Sequence, residues 1–330
     1  MRKRRLTTCL ILLLVSLAAC AALPLQGSAA GQQQGRIADF VGVETEPAAL
    51  PSQALPWFLE RVNAGDAWEP TAAGAHIIVA VLDTGIDESH EDLQGKVIAS
   101  VNFSRSEGTG DVNGHGTLIA GIITASIENL KGTMGIAHGS SLLNVKVADD
   151  NGFVMPDAVV RGIRWAVDNG ADVINLSLTL SRPSAAVEEA VRYAWDNGAV
   201  IVAAAGNTAS MREVYPAATP PVIGVAATDQ DDRTARWSNR GGWVSVSAPG
   251  TDILSTLPLD RYAVKNGTSY SSALVSGEAA LLLVVARDRD GNGRINDEVR
   301  AAILNGTEAT ADGTGAGRVD VLKAVEYLAR

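Results

Sequence analysis

Cysteine is almost absent from this chain of 330 residues, which contains only Cys9 and Cys20. Both lie in the first twenty residues, so no disulfide can stabilise the rest of the chain. Stability must therefore come from a hydrophobic core and from any bound ions. With 46% hydrophobic and 19% charged residues, the composition suits one large α/β domain or two small ones.

Aromatic and basic residues are also scarce. Aromatic residues make up 5% of the chain, whereas glycine contributes 33 residues and so permits many tight turns and close backbone approaches. Acidic residues outnumber basic ones by 37 to 27, which gives a net charge of −10. An acidic chain lacks the positive surface that nucleic acids require, so we exclude nucleic acid as a partner.

The N-terminus is typical of a signal peptide covering residues 1–20. Arg2, Lys3, Arg4 and Arg5 form a positive start, and an apolar run follows over residues 10–19. That run is too short to cross a bilayer comfortably, and small residues come after it. We therefore expect the mature protein to be exported.

The residues just before Cys20 form a recognisable pattern. The run Leu17-Ala18-Ala19-Cys20 resembles the bacterial lipobox, in which the cysteine is lipidated and becomes the first mature residue. The alternative is ordinary cleavage near residues 28–30, which would release a freely secreted protein. We expect lipidation at Cys20 and membrane attachment, which is weak with one acyl group and stable with two.

Two segments that differ in composition and hydrophobic pattern follow. Residues 21–54 are rich in Ala, Gln, Gly and Pro, and are predicted to be a flexible tether without a core. Residues 55–330 form one predicted domain, in which apolar runs of strand length alternate with amphipathic helical patterns over 156–169 and 184–197. The apolar runs cover residues 77–82, 141–147, 172–178, 199–205 and 222–227.

This alternation predicts the fold class. Continuous apolar strands separated by helices are typical of a doubly wound, mostly parallel sheet with helices on both faces. Both amphipathic patterns end at an Asn-Gly pair, which is a good helix stop. Ligands of such α/β folds lie outside the carboxyl ends of the strands.

Three separated motifs carry groups that hydrolysis needs. Asp83 ends an apolar strand, His115 lies between glycines where a helix begins, and Ser269 precedes a long apolar helix. A serine hydroxyl is a poor nucleophile unless a base is within hydrogen-bond reach and an acid orients that base. Taken singly, the three residues could be a turn acid, a helix cap and an N-cap. Their order, Asp then His then Ser, favours catalysis.

These motifs resemble those of the subtilisin-like serine proteases, or subtilases, from about residue 55 to the C-terminus. The resemblance implies a subtilisin-like fold and an exported serine endopeptidase that forms an acyl-enzyme. It implies that Ser269 is the nucleophile, His115 the general base and Asp83 its orienting acid. It also implies that Asn207, after an apolar run ending in Ala-Gly, donates to the oxyanion, although Asn207 could be a plain turn residue.

In this family the substrate lies between two extended segments and adds to the edge of a sheet. Thr179 stands where the family usually has glycine, so it would place a branched side chain at the mouth of the primary specificity pocket. Both segments could instead be ordinary loops. The matching residues are Asn151, Gly152, Phe153 and Val154 in the first segment, and Ser177, Leu178 and Thr179 in the second.

Two places could hold structural calcium, although the chemistry itself requires no cofactor. Asp288, Asp290 and Asn292 resemble the start of a calcium loop, but position twelve is Val299 instead of an acid. The alternative there is a polar turn before a helix. Asp92 matches an aspartate that helps bind calcium in many relatives, although its partner loop over residues 126–131 is altered.

Two departures from the family suggest a rival function. The usual Met-Ala-x-Pro after the nucleophile is replaced here by Tyr270-Ser271-Ser272-Ala273, and no patterned propeptide precedes the domain. The chain could therefore be a subtilase-fold binding protein with little or no turnover. A nucleotide-binding protein is excluded, because no G-x-G-x-x-G opens a helix after the first strand. We expect a monomer that acts on peptide or protein substrates.

Replacing Cys20 by serine tests the lipoprotein prediction. If Cys20 carries the lipid, Cys20→Ser should move the protein from the membrane fraction to the soluble exported fraction, because the anchor is lost. Cys9→Ser is the matched control and should change nothing. Mass spectrometry of the mature protein decides the alternative, since a chain that begins near residue 31 would exclude lipidation at Cys20.

Overall fold

The computed structural model describes residues 34–37, 55–127, 129, 132–312 and 314–330. Within the chain, Gln33–Arg330 form one compact unit. The predicted signal peptide, Cys9, Cys20 and most of the predicted tether lie outside the described residues, so those expectations stay predictions.

The strands are numbered along the described chain. They are β1 (Gly35–Ile37), β2 (Ile78–Asp83), β3 (Val97–Asn102), β4 (Ser141–Lys146), β5 (Phe153–Val154), β6 (Val173–Leu176), β7 (Leu178–Thr179), β8 (Val200–Ala204), β9 (Ile223–Thr228), β10 (Val246–Pro249), β11 (Ile253–Leu257), β12 (Arg261–Lys265), β13 (Thr307–Glu308) and β14 (Arg318–Val319).

The α-helices follow the same convention. They are α1 (Trp57–Arg61), α2 (Ala64–Ala67), α3 (His115–Thr124), α4 (Pro156–Asp168), α5 (Ala185–Asp196), α6 (Thr268–Val285), α7 (Asn296–Asn305) and α8 (Val321–Ala329).

The five predicted apolar runs are neighbouring strands of one large sheet. Its order is β13-β14-β10-β9-β8-β6-β2-β4-β3, and every neighbouring pair except β13 and β14 is parallel. The chain starts this sheet at β2, then adds β3 and β4 on one side and β6, β8 and β9 on the other. The strand order therefore reverses at β2, and the reversal opens a crevice beyond its carboxyl end.

Side chains on β2 alternate between two separate cores, as a strand buried on both faces requires. Val79 and Val81 belong to the core that contains α3 and α6, whereas Ala80 and Leu82 belong to the core that contains α4 and α5. The sheet is therefore covered by helices on both faces. The doubly wound, mostly parallel α/β fold predicted from the sequence is confirmed.

Both predicted amphipathic helices end where the Asn-Gly pairs indicate. The last helical residue of α4 is Asp168 with Asn169 as its cap, and α5 ends at Asp196 with Asn197 as its cap. In each case backbone N–H groups of the Asn-Gly pair close the last turn. The strand β6 follows the end of α4, and β8 follows the end of α5, so each helix is followed by a parallel strand.

The helix α6 runs through the middle of the molecule. By length and composition alone it could cross a membrane, but 83% of this stretch is buried inside the protein. Its apolar side chains, such as Leu274 and Leu281, pack in the core beneath the sheet. We therefore interpret α6 as a central core helix, whose burial positions the residues of its first turn.

Three residues of the predicted tether form a strand, which composition does not indicate. The strand β1 lies between β5 and β7 and is antiparallel to both. Ile37 has only 4% of its surface exposed. Local sequence misses β1 because its partners lie more than a hundred residues away along the chain.

One buried acid in α6 allows a prediction of how the stability of the protein depends on pH. Glu278 is fully buried, and its carboxyl oxygens have no hydrogen-bond partner among the described residues. Burial, helped by the charge of Asp320 and opposed by Arg318, raises the pKa of Glu278 well above its usual value of 4.5. The folded state therefore holds a proton that the unfolded chain loses above pH 4.5, so stability falls as the pH rises.

Glu278→Gln removes this titration with little change in volume. The variant should gain stability relative to the wild type as the pH rises from 4 to 8, by more than about 1.4 kcal/mol, the energy of one pKa unit. Urea unfolding at both pH values measures the difference. A gap between variant and wild type that stays constant across this range would mean that Glu278 is ionised in the folded protein.

Candidate active site

An acid and a histidine meet at the carboxyl end of β2. Asp83 is the last residue of β2 and His115 is the first residue of α3. Nδ1 of His115 lies 2.7 Å from Oδ1 of Asp83, and both side chains are fully buried. Because the carboxylate can only accept, Nδ1 carries the proton of the neutral ring, and Nε2 is left as the basic nitrogen.

The glycines on both sides of His115 allow this contact. Gly114 has a φ of 94°, a left-handed conformation that favours glycine, and it is the N-cap of α3. A Cβ atom on Gly116 would overlap with the carbonyl oxygen of Gly85. Only glycine therefore lets the first turn of α3 lie directly against the chain that leaves β2.

Two further side chains hold that first turn. Asp111 is buried, and its carboxylate accepts the N–H groups of Gly114 and Thr117 and the hydroxyls of Thr84 and Thr117, at 2.7–2.8 Å. Thr84 also accepts the N–H of Gly116 at 3.0 Å. Burial raises the pKa of Asp111, and these four donors oppose the rise. Together Asp111 and Thr84 satisfy N–H groups that an α-helix leaves unpaired at its start.

Asp111 and Thr84 were missed at the sequence level, although a signal exists. Asp111 lies four residues before His115, and Thr84 directly follows Asp83. Short oxygen-bearing side chains just before a helix are typical of caps. The sequence does not indicate, however, that both would act on the same helix start.

Ser269 is the second residue of α6 and is 1% exposed. Its backbone carbonyl accepts the hydroxyls of Ser177 at 3.1 Å and Ser272 at 2.8 Å. Its own Oγ lies 3.4 Å from the carbonyl oxygen of Ser177. Ser269 is thus held in the first turn of α6, where the helix dipole favours negative charge.

The residue after Ser269 connects the two halves of the site. The Tyr270 ring is buried, and its centroid lies 6.1 Å from that of His115. Burial and the charge of Asp83 raise the pKa of Tyr270 well above its usual value, so its hydroxyl stays neutral. The structure therefore places Asp83, His115 and the start of α6 near one another.

The residues that replace the usual Ala-x-Pro are accommodated by the surrounding backbone. The Ser271 hydroxyl donates to the carbonyl oxygens of Ala248 at 3.0 Å and Pro249 at 3.1 Å. The Ser272 hydroxyl donates to the carbonyl oxygen of Ser269. These added hydroxyls are thus paired inside the core and leave the start of α6 intact.

Asn207 lies beyond the end of β8 and next to α6. Its Oδ1 accepts the backbone N–H of Thr268 at 3.0 Å and the Thr268 hydroxyl at 2.8 Å. A backbone N–H can only donate, so the side-chain amide must present oxygen to Thr268. The NH₂ group of Asn207 is therefore the arm of the planar amide that faces away from these two Thr268 donors.

The two predicted substrate segments border a narrow cleft that β1 fills. Gly35 and Arg36 pair with Val154 and Phe153, and Arg36 and Ile37 pair with Thr179 and Leu178. The N–H of Ile37 also donates to the carbonyl oxygen of Gly152 at 3.0 Å. Ser177 lies one residue before this pairing, and Asn151 lies in the turn before it. The cleft therefore accepts an extended chain antiparallel to both of its walls.

The predicted calcium residues are engaged within the protein. Both carboxylate oxygens of Asp288 accept backbone N–H groups, Asp290 accepts from Asn292, and Asn292 accepts from the N–H of Arg294. Asp92 is fully buried and accepts the side-chain amide of Asn129, and burial raises its pKa. In the described part of the chain, no three His, Cys, Asp or Glu side chains converge on one point. Calcium binding stays a prediction.

The chain is similar in sequence to known proteins. The family model described as "Subtilase family" matches residues 74–319. The chain is 44% identical over 269 residues to the thermophilic serine proteinase of Bacillus sp. (strain AK1), covering 79% of this chain and 64% of that protein. It is 41% identical over 273 residues to thermitase of Thermoactinomyces vulgaris, covering 81% and 95%. It is 40% identical over 237 residues to subtilisin DY of Bacillus licheniformis, covering 70% and 85%.

Asp111→Ala tests whether this acid holds the start of α3. The change should lower the free energy of unfolding by roughly 3 kcal/mol or more, because each buried donor left unpaired costs about 1–3 kcal/mol. Urea unfolding measures the loss. Asp231→Ala is the matched control, since the carboxylate of Asp231 is 69% exposed and its salt bridge with Arg233 contributes little. Equal midpoints for Asp111→Ala and the wild type would contradict this role.

Proposed function

This chain belongs to the subtilase family of serine-type endopeptidases, and we propose that it is an exported endopeptidase that cleaves peptide bonds through Asp83, His115 and Ser269. The buried hydrogen bond between Asp83 and His115 is the observation that carries the proposal. That bond selects the ring tautomer whose Nε2 can take a proton from the serine hydroxyl.

The first chemical step is acylation of Ser269. Its Oγ attacks the carbonyl carbon of the scissile bond while Nε2 of His115 accepts the hydroxyl proton. The imidazolium that forms is stabilised by Asp83 and then gives this proton to the leaving amine as the C–N bond breaks. A water molecule, deprotonated in the same way, later releases the acid product and restores Ser269.

The oxyanion of the tetrahedral intermediate needs donors that are already in place. The NH₂ group of Asn207 is one candidate, because Thr268 fixes its Oδ1. The backbone N–H of Ser269, in the first turn of α6, is the other. Preorganised donors of this kind contribute most when the charge appears only in the transition state.

The substrate is an extended peptide that lies between β5 and β7. Main-chain hydrogen bonds would give affinity, and the side chains of the two walls would give specificity. Thr179 borders this cleft and approaches the turn before Asn207, since its methyl group would lie 3.3 Å from a Cβ on Gly206. The branched Thr179 side chain would therefore limit the size of the residue bound beside Ser269.

The N-terminus and the candidate calcium residues lie outside the catalytic chemistry. The N-terminal twenty residues support export, with Cys20 as the lipid site or with simple secretion as the alternative. Calcium at Asp92, or at Asp288, Asp290 and Asn292, would be structural, because amide hydrolysis by these three side chains needs no metal.

The alternative function is that of a binding protein with little turnover, which the altered run from Tyr270 to Ala273 favours.

Fluorophosphonate labelling distinguishes the endopeptidase from the rival. The wild type should react at Ser269 and hydrolyse peptides, and Ser269→Ala should lose both properties. We expect a loss of about 10⁶-fold in kcat, the size reported for the corresponding subtilisin variants. A folded wild-type protein that never reacts with the reagent would falsify the endopeptidase proposal and leave the binding protein.

Asn207→Ala tests the proposed oxyanion donor. The change should lower kcat by roughly 10²–10³-fold with little effect on KM, because the oxyanion exists only near the transition state. Steady-state kinetics on a short peptide substrate separate the two constants. A large rise in KM with unchanged kcat would show instead that Asn207 binds the ground state.

A further inference from the structure

One lysine beside the catalytic pair is buried although its side chain is charged. Lys146 is the last residue of β4, and its backbone is paired with that of Asp83 at the end of β2. The side chain of Lys146 has none of its surface exposed. Removing an ammonium group from water is costly unless nearby groups compensate its charge, and the acylation of Ser269 does not use this lysine.

The ammonium of Lys146 is compensated by three oxygens from three separate segments. Nζ donates to the carbonyl oxygen of Thr84, to Oδ1 of Asp150 at 2.8 Å and to the carbonyl oxygen of Gly110 at 3.4 Å. A lysine ammonium has three N–H donors and no acceptor, so each of its donors has one partner. Hydrogen bonds from a charged donor are stronger than those between neutral groups, so they resist separation of the three segments.

Two of these segments fix the position of His115. Thr84 directly follows Asp83, and its hydroxyl accepts an N–H group in the first turn of α3. Gly110 directly precedes Asp111, whose carboxylate accepts two more N–H groups at that helix start. The lysine therefore holds the backbone of both segments whose side chains hold the start of α3.

The third segment leads into the first wall of the substrate cleft. Asp150 lies directly before Asn151, and its backbone carbonyl accepts the side-chain amide of Asn113 at 3.3 Å. The neighbouring carboxylate of Asp149 accepts the N–H groups of Asn151 and Phe153 at 2.9 and 3.0 Å. Asp149 thus closes the turn at the start of the wall, whereas the carboxylate of Asp150 links the wall to the lysine.

On the basis of the proposed function, we propose that Lys146 is a positioning residue that couples the first wall of the substrate cleft to the pair formed by Asp83 and His115. Because its three donors are occupied, the lysine neither contacts the scissile bond nor transfers a proton. It holds the chain after β2 and the chain before α3 against Asp150, so that a peptide bound along β5 meets His115 already aligned with Asp83. Misplacing a catalytic group by about 1 Å can cost roughly 10²-fold in rate, so small movements of these segments would lower kcat.

Steady-state kinetics on a peptide long enough to pair with β5 and β7 test the coupling. Lys146→Met keeps a long side chain and removes its three donors, so it should lower kcat by roughly 10–100-fold. Asp150→Ala cuts only the link to the wall, so it should mainly raise KM, by about 5-fold, the lower end of typical couplings between sites. Lys323→Met is the matched control and should change neither constant, because that lysine is 44% exposed and pairs with the surface residue Glu308.

The double variant that combines Lys146→Met with Asp150→Ala separates coupling from two independent effects. If the link passes through the ammonium, Asp150→Ala should add nothing once the lysine is gone. The kcat/KM of the double variant should then equal that of Lys146→Met within about 2-fold. Losses that multiply would overturn the coupling.

Proton NMR measures the alignment itself in Ser269→Ala, a chain that cannot cleave itself. The Nδ1 proton between His115 and Asp83 should give a resonance far downfield, because it lies in a short, buried hydrogen bond. Adding Lys146→Met should shift or broaden this resonance, whereas adding Lys323→Met should leave it unchanged. Failure of the proposed function gives a different result, since the wild type would then ignore fluorophosphonate and peptides while the resonance still responds to Lys146→Met.

Two results would overturn the positioning role. The first is a folded Lys146→Met variant that keeps the wild-type kcat and the wild-type His115 resonance. The second applies if Lys146→Met does not fold: Asp150→Ala, which changes a carboxylate that is 35% exposed, then decides alone, and an unchanged KM would refute the link.

Discussion

The short hydrogen bond between Asp83 and His115 imposes requirements on much of the surrounding fold. At 2.7 Å and without access to water, it demands that β2 end and α3 begin within one side chain of each other. That approach is possible because position 116 has no Cβ to meet the carbonyl of Gly85. Asp111 and Thr84 then satisfy the N–H groups that the helix start exposes. A residue at position 83 that could not accept a hydrogen bond would no longer select the tautomer protonated at Nδ1.

The second constraint is the position of Ser269 in the first turn of α6, a helix that is mostly buried. Most of α6 is enclosed by the core, so its first turn is a rigid platform beside the carboxyl ends of β6 and β8. Thr268 links that turn to Asn207, and Ser177 links it to β6. Ser269 and Asn207 therefore belong to one hydrogen-bonded unit, which would preorganise the proposed nucleophile and oxyanion donor. The hydroxyls of Ser271 and Ser272 fit within this unit.

The fold and most of the candidate site follow from local pattern. Uninterrupted apolar runs between amphipathic helices indicate a buried parallel sheet, and polar residues such as Asp83 and Asn207 at strand ends indicate its functional edge. By contrast, Asp111 acts through four donors spread over Thr84, Gly114 and Thr117, an arrangement that no short spacing encodes. The acidic loop at Asp288 illustrates the reverse case, because a calcium-like pattern also suits a turn that accepts its own backbone N–H groups.

By itself the sequence determined the α/β class, the order of the three candidate catalytic residues and the helix stops at the Asn-Gly pairs. These features depend on periodicity and on the chemistry of neighbouring residues, which the linear chain contains. Only the tertiary structure decided that Gly35–Ile37 occupies the cleft between β5 and β7. A three-residue strand has no detectable period, and its stability comes from partners more than a hundred residues distant that become adjacent only when the sheet has formed.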